Sequence, residues 1–424
     1  MASDTTGNLP PFIRKVCKAF VMTACGLALT VLADRMPAQA QQLQQLGLFN
    51  GKNGTNPNPR LVADRAGNLY GTTFYGGFYG TFGPGTVFKV SHHGSGWMLT
   101  TLYQFHGHAD GSNPWGGVVP GPDGALYGTT NGGGAYSAGL VYKLQPPPNG
   151  CPTAACYWQE TVLYSFTGEP DGAGPQGDLI FDRAGNLYGT TFYGGQGSNG
   201  GNGVVYRLTP SQGGWNEAVL YAFSGGSDGG DPQDGVVLDQ AGNLYGVAGR
   251  GGSHSLGAVY ELSYGNGGWT ETVLHSFAGG ADGQYPAGLT IDAVGNVYGE
   301  TGEGGANSAG IVYQLQPAGG GFNYDILFNY SLDTGGPFPV TSLTVDSAGN
   351  LYGCNVGGAQ GAYGTAFRLT PAQGSWNFNA LYYFNEYQGY ELNGKPLLDA
   401  QGDIFGVASS AGEDYDGTVW EITP

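Results

Sequence analysis

Asp182-Arg183-Ala184-Gly185-Asn186-Leu187-Tyr188-Gly189 holds the clearest of seven copies of one phrase. Its core, Gly-Asn-Leu-Tyr-Gly, recurs at 67–71, 242–246 and 349–353, and in looser form at 124–128, 295–299 and 402–406. The closing glycines are 57, 61, 57, 53, 54 and 53 residues apart. A steady period of that size indicates a stacked repeat or a propeller.

Reading outward from this copy gives one unit. Asp178 to Asp182 (DLIFD) is an apolar strand and 182–186 a tight turn. Leu187 to Thr191 is a second strand, followed by a glycine-rich loop. Gly203 to Leu208 is a third, and a turn ending at Trp215 leads into a fourth, Ala218 to Phe223. Short strands separated by turn clusters every 8–12 residues mark an all-β assembly. Four antiparallel strands per unit make a propeller blade. The chain ends on a third strand (Val419 to Ile422), and the piece Leu46 to Asn50 supplies the missing fourth. The expected fold is an all-β, seven-bladed β-propeller over 41–424, its ring closed by the N-terminal strand.

The ordered elements D-x-x-G-N-L-Y-G-T-T, G-G, G-x-V-Y-x-L, W and V-L-Y-x-F cover nearly all of 41–424. They resemble the GloVer tandem repeats of exported bacterial proteins, a family with no agreed activity. Its members often carry a C-terminal sorting anchor. The ending Thr423-Pro424 has no such tail, which implies a secreted soluble form. The D-x-x-G-N-L-Y pair is also similar, on a shorter pattern, to NHL-type propellers and to the senescence marker/gluconolactonase family. That likeness implies a calcium-dependent lactonase.

The first forty residues differ from the rest. Arg14, Lys15 and Lys18 precede an apolar run from Ala19 to Ala33, and Ala38-Gln39-Ala40 gives a cleavage signal. The run is short of the ~20 residues that span a bilayer. A secreted or periplasmic protein is expected, free of the membrane after cleavage; a retained anchor helix and a lipoprotein site at Cys25 are the alternatives. Without 1–40 the chain carries 10 Lys/Arg against 30 Asp/Glu. Such a surface repels phosphate backbones, which disfavours nucleic acid as a partner. Cys151 and Cys156 are expected to pair across a loop insertion, and Cys354, where other copies carry Thr, to be a small buried side chain.

Asp64, Asp182, Asp239, Asp292, Asp346 and Asp399 open the repeated turn and read as turn formers that accept their own backbone's hydrogen bonds. Asp110, Asp171, Asp228 and Asp282 stand in interblade Asp-Gly turns. Gathered at one mouth they would favour Ca²⁺, which takes six to eight oxygens; the alternative is an ordinary turn role. Departures from the repeat point to further candidates. His106, His108, His254 and Glu300 are candidate catalytic groups, since a histidine beside a metal-bound water can act as general base. Trp115, Arg250 and Glu303 are candidate ligand-binding residues. Scattered loop variation without a common site is the bland alternative. Trp97, Trp158, Trp215, Trp269 and Trp376 recur before the fourth strand and read as packing between blades. No His-Glu-x-x-His and no P-loop is present.

Two functions follow as expectations. One is a Ca²⁺-dependent lactonase-type hydrolase acting on a sugar or acyl lactone. The other is a non-catalytic exported propeller that recognises glycan or a surface protein. A monomer is expected in either case.

Overall fold

Each copy of the phrase becomes a turn and a second strand because its polar residues satisfy one another. In a computed structural model, Asp182 Oδ1 accepts from the Ala184 and Asn186 amides at 2.8 and 2.9 Å. Its Oδ2 accepts from Asn186 Nδ2 and the Tyr188 hydroxyl at 2.7 and 3.1 Å. Gly185 sits at φ 85°, a left-handed turn position that favours glycine. The closing glycine has a different reason. A Cβ at Gly189 would lie 2.5 Å from the Tyr206 hydroxyl on the facing third strand. The same clearance is needed at Gly71 over Phe88 and at Gly406 over Trp420. In the second copy Gly121 replaces the turn aspartate, and Asp123 takes over the bond from the tyrosine hydroxyl (Tyr127, 3.0 Å).

The structure describes residues 41–58, 60–148, 157–195, 200–265, 267–332, 339, 342–358, 362–392, 394–412 and 415–423. Residues 1–40, with the expected leader and Cys25, and the expected pairing of Cys151 with Cys156 lie outside them. The described residues form seven antiparallel sheets. In the third blade the strands are Ile180–Phe181, Leu187–Thr191, Val204–Ser211 and Gly214–Ala222, in that order from axis to rim. The innermost strand is shorter than expected, because Asp178 faces the channel and Asp182 belongs to the turn. The outer hairpin is longer, since Pro210 still pairs with Trp215. The N-terminal strand closes the ring as expected, but it begins at Gln42 and ends at Leu48, where Leu46 to Asn50 was expected. Gln42–Leu48 is the outermost strand beside Thr418–Thr423, and Thr418 Oγ1 donates to the Gly47 carbonyl at 2.9 Å.

The core lies between blades. Tyr70, Val87 and Phe105 of the first blade pack against Leu126, Tyr142 and Leu144 of the second, and an equivalent cluster fills each interface. Each such buried side chain stabilises the fold by about 1.5–3 kcal/mol. The recurring tryptophans do this work at the outer edge. Trp158 meets Tyr70 at 6.2 Å, Trp215 meets Tyr127 at 6.1 Å and Trp269 meets Tyr188 at 6.4 Å, each ring reaching the phrase tyrosine of the preceding blade. Trp97 closes the circle on Phe405 at 6.3 Å.

Candidate functional site

Seven innermost strands converging on an axis bring together the residues four places before each turn position. Those residues are Arg60, Gly117, Asp178, Gly235, Gly288, Ser342 and Lys395. Where glycine stands, the neighbour approaches the axis: a Cβ at Gly288 would overlap both Asp234 and Ser342.

Arg60 lies across this ring. Its Nη1 donates to Asp178 Oδ2 at 2.7 Å, and its Nη2 to both oxygens of Asp234 and to Ser342 Oγ at 2.8 Å. Ser342 Oγ donates to Asp234 Oδ2 at 2.8 Å, while the Gly117 amide donates to Asp178 Oδ1 and the Gly235 amide to Asp234 Oδ1. Lys395 stands next to Arg60, the two residues joined by a parallel bridge between the seventh and first blades. Burial, and then the charge of Arg60, hold its ammonium down to about 8, although Asp234 and Asp178 pull the other way.

A cavity of about 660 Å³ lies above the ring. Arg60, Asp178, Asp234, Ser342 and Lys395 contribute to its lining, as do the aromatic residues Phe74, Tyr75, Trp115 and Tyr285. Asn56, Asn58, Gln176 and Gln233 add amides. Trp115 is 44% exposed and meets Phe74 edge-on at 4.9 Å. A second cavity of about 290 Å³ shares Arg60, Asp178 and Lys395.

Among the residues singled out in the sequence, Trp115 and Glu303 line the large cavity, Glu303 accepting from Gln284 Nε2 at 2.7 Å. The others do not. Glu300 is buried in the blade, where its carboxylate accepts from the Tyr330 hydroxyl. Arg250 Nε pairs with the buried Asp231. His106 Nδ1 is 2.9 Å from Asp110 Oδ2, and His108 and His254 are exposed.

The four interblade aspartates are each committed to their own turn. Asp110, Asp171, Asp228 and Asp282 accept from the backbone amides of His106, Thr167, Ser224 and Ala278. Their second partners are Tyr103, Tyr164, Tyr221 and His275. Ca²⁺ does not fit this donor set. Each of these aspartates serves a different interblade turn, the axial pair Asp178 and Asp234 already shares the Arg60 guanidinium, and among the described residues no three His, Cys, Asp or Glu side chains group to hold a metal.

Arg60, Asp178, Asp234, Ser342 and Lys395 escaped the sequence reading. The signal was available for three of them: Arg60, Asp178 and Lys395 are charges four places before the turn, where three other copies carry glycine.

A model of the Gloeobacter/Verrucomicrobia repeat matches residues 35–201 and again 196–420. No curated protein matches the chain. Among solved structures, the extracellular domain of a one-component system protein from B. thetaiotaomicron is similar over 90% of this chain and 40% of its own, at 12% identity and TM-score 0.50. A protein assigned as a gluconolactonase is 17% identical over 83% of this chain and 97% of its own, with TM-score 0.42. An assigned glucose dehydrogenase from Thermus thermophilus is 14% identical over 90% of this chain and all of its own, with TM-score 0.40. At 12% identity the first of these likenesses is one of fold alone.

Proposed function

The chain belongs to the Gloeobacter/Verrucomicrobia repeat family, and we propose that its propeller binds a polyhydroxylated small molecule of sugar size in the axial cavity. One observation carries this reading: aromatic faces (Trp115, Tyr285) and a ring of amides and carboxylates line the same 660 Å³ space. That volume falls within the roughly 300–1,000 Å³ of small-molecule sites. Aromatic faces cover the C–H surface of a sugar, and the amides and carboxylates satisfy its hydroxyls. The leader-like composition of 1–40 is consistent with export. Calorimetry against a panel of monosaccharides, disaccharides and sugar lactones tests the reading. Trp115→Ala and Gln233→Ala should each weaken binding about tenfold or more, the size expected for losing one good contact of ~1.4 kcal/mol. A folded protein that binds nothing in the panel would sink the proposal.

A second reading, ring opening of a sugar lactone, is favoured by Lys395, which has no hydrogen-bond or ion-pair partner among the described residues and stands beside Arg60 in that cavity. The neutral amine takes a proton from water, and the resulting hydroxide adds to the lactone carbonyl carbon. Charge gathers on the carbonyl oxygen beside the guanidinium. Collapse breaks the ring C–O bond, and the leaving alkoxide recovers the proton from Lys395, giving the hydroxy acid. Acid release followed by pH-stat, corrected for spontaneous hydrolysis, tests this step. Equal rates for wild type and Lys395→Met would leave binding alone.

A further inference from the structure

The axial ring treats its two cations differently. Arg60 is taken up by Asp178, Asp234 and Ser342. Lys395 has no hydrogen-bond or ion-pair partner among the described residues, yet it lines both cavities. A lysine held beside a second cation and partly removed from water is the arrangement that turns an amine into a nucleophile.

We propose that Lys395 is a nucleophilic amine that captures an aldehyde or ketone in the axial cavity as a Schiff base, the natural class being the open-chain form of a reducing sugar. The sugar assignment rests on the binding function proposed above; the amine's reactivity does not. The step balances without an oxidant or reductant. The Nζ lone pair forms a bond to the carbonyl carbon and the C=O π pair moves to oxygen. The nitrogen loses a proton and the oxygen gains one, giving a carbinolamine. Its hydroxyl then leaves with a proton as water, and a C=N bond remains.

The groups facing the amine are Arg60, Asp178 and Asp234. With its ammonium held near 8, about a tenth of the molecules carry a neutral Lys395 at pH 7, against fewer than about one in a thousand for an ordinary lysine.

The test labels the folded full chain with glycolaldehyde and cyanoborohydride, which reduces the imine to a stable secondary amine, and maps the label by peptide mass. Lys395 should be modified at least about tenfold faster than the exposed Lys52 at pH 7, with a rate that levels off above about pH 8. Unfolding in urea should abolish the difference. Equal rates at Lys395 and Lys52 in the folded protein would overturn the inference. A second arm replaces glycolaldehyde with a reducing sugar and adds the matching alditol as competitor. Labelling of Lys395 by the sugar, blocked by the alditol, supports both readings. Labelling by glycolaldehyde with neither sugar labelling nor protection keeps the reactive amine and removes the sugar.

Discussion

The Tyr330 hydroxyl donates a hydrogen bond to Glu300 inside the fifth blade, where both side chains are fully buried. Their counterparts are Thr129 and Phe166 in the second blade and Thr190 and Phe223 in the third. Two departures from the repeat therefore answer each other: a carboxylate replaces a hydroxyl, and the facing phenylalanine gains a donor. Cys354, at the same position as Glu300 in the next blade, is buried beside them, its thiol pushed well up by burial and then by Glu300. Tyr330→Phe and Glu300→Thr should each cost about 1–3 kcal/mol, since each leaves a buried polar group short of a partner. The double variant restores the pair found in the second and third blades, so its loss should fall below the sum of the two by about 0.5–3 kcal/mol. Urea denaturation of the four proteins measures the coupling, and strictly additive losses would refute it.

The closing glycine of the phrase makes a sharper demand than the one that opens it. Gly189 has the Tyr206 hydroxyl 2.5 Å and the ring carbon bearing it 2.7 Å from where a Cβ would sit. Gly213, in the outer hairpin of the same blade, has nothing within 4 Å. Gly189→Ala should therefore destabilise by roughly 1–3 kcal/mol, the usual cost of overpacking a filled core. Gly213→Ala should stay within about 0.5 kcal/mol of wild type. Thermal denaturation of the pair tests whether the glycine is there for space.

The blade was legible because its phrase is closed within itself. Asp182, Asn186 and Tyr188 satisfy one another across six residues, so a short stretch carries both the pattern and its reason. The site has no such local origin. Arg60 and Lys395 meet only because the ring closes, at the ends of a chain path that runs through every blade. The histidines and glutamates singled out as departures mostly lie in turns, where solvent tolerates change, or, like Glu300, in a blade where a neighbour has changed with them. A departure on the innermost strands meant more, because glycine or serine is what the crowded axis otherwise admits. Trp115 and Glu303 were found because a loop and the end of a second strand open onto the same mouth.

Stability should peak on the acid side of neutrality. Glu160, Glu217 and Glu271 occupy equivalent outer-strand positions, and burial, reinforced by Asp110, Asp171 and Asp228 respectively, raises each carboxyl to about 7 from 4.5. Between those values each glutamate takes up a proton on folding. Their contribution is thus fully present below about pH 4.5 and is lost as pH rises to about 7. The turn aspartates act in the opposite sense. Burial works against Asp64, Asp182 and Asp346, but hydrogen bonds from their own turns hold them below 3.8, so acid removes what they contribute. The melting temperature should therefore be highest near pH 5 and fall toward pH 8. The triple Glu→Gln variant should flatten that fall, each site contributing on the order of 1 kcal/mol after solvent screening. A wild-type curve that rises from pH 5 to pH 8 would contradict the assignment.

Arg60 takes the place between Asp178 and Asp234 that a bound cation would need. Adding Ca²⁺ or a chelator should accordingly leave the melting temperature of the wild-type protein unchanged. Removing the guanidinium changes the balance, because two carboxylates then face each other across the axis with Lys395 the one cation beside them among the described residues. Arg60→Met should cost roughly 2–4 kcal/mol, below the upper range for a broken buried pair because the site is partly open to the cavity. It should also acquire what the wild type lacks: a melting temperature that rises with Ca²⁺ concentration, as expected when a ligand binds only the folded state. Asp178→Asn in the same background should blunt that rise by removing one of the two charges. Scanning fluorimetry across a calcium titration reads all three proteins, and calcium stabilisation of the wild type equal to that of Arg60→Met would show that the arginine does not stand in for a metal ion.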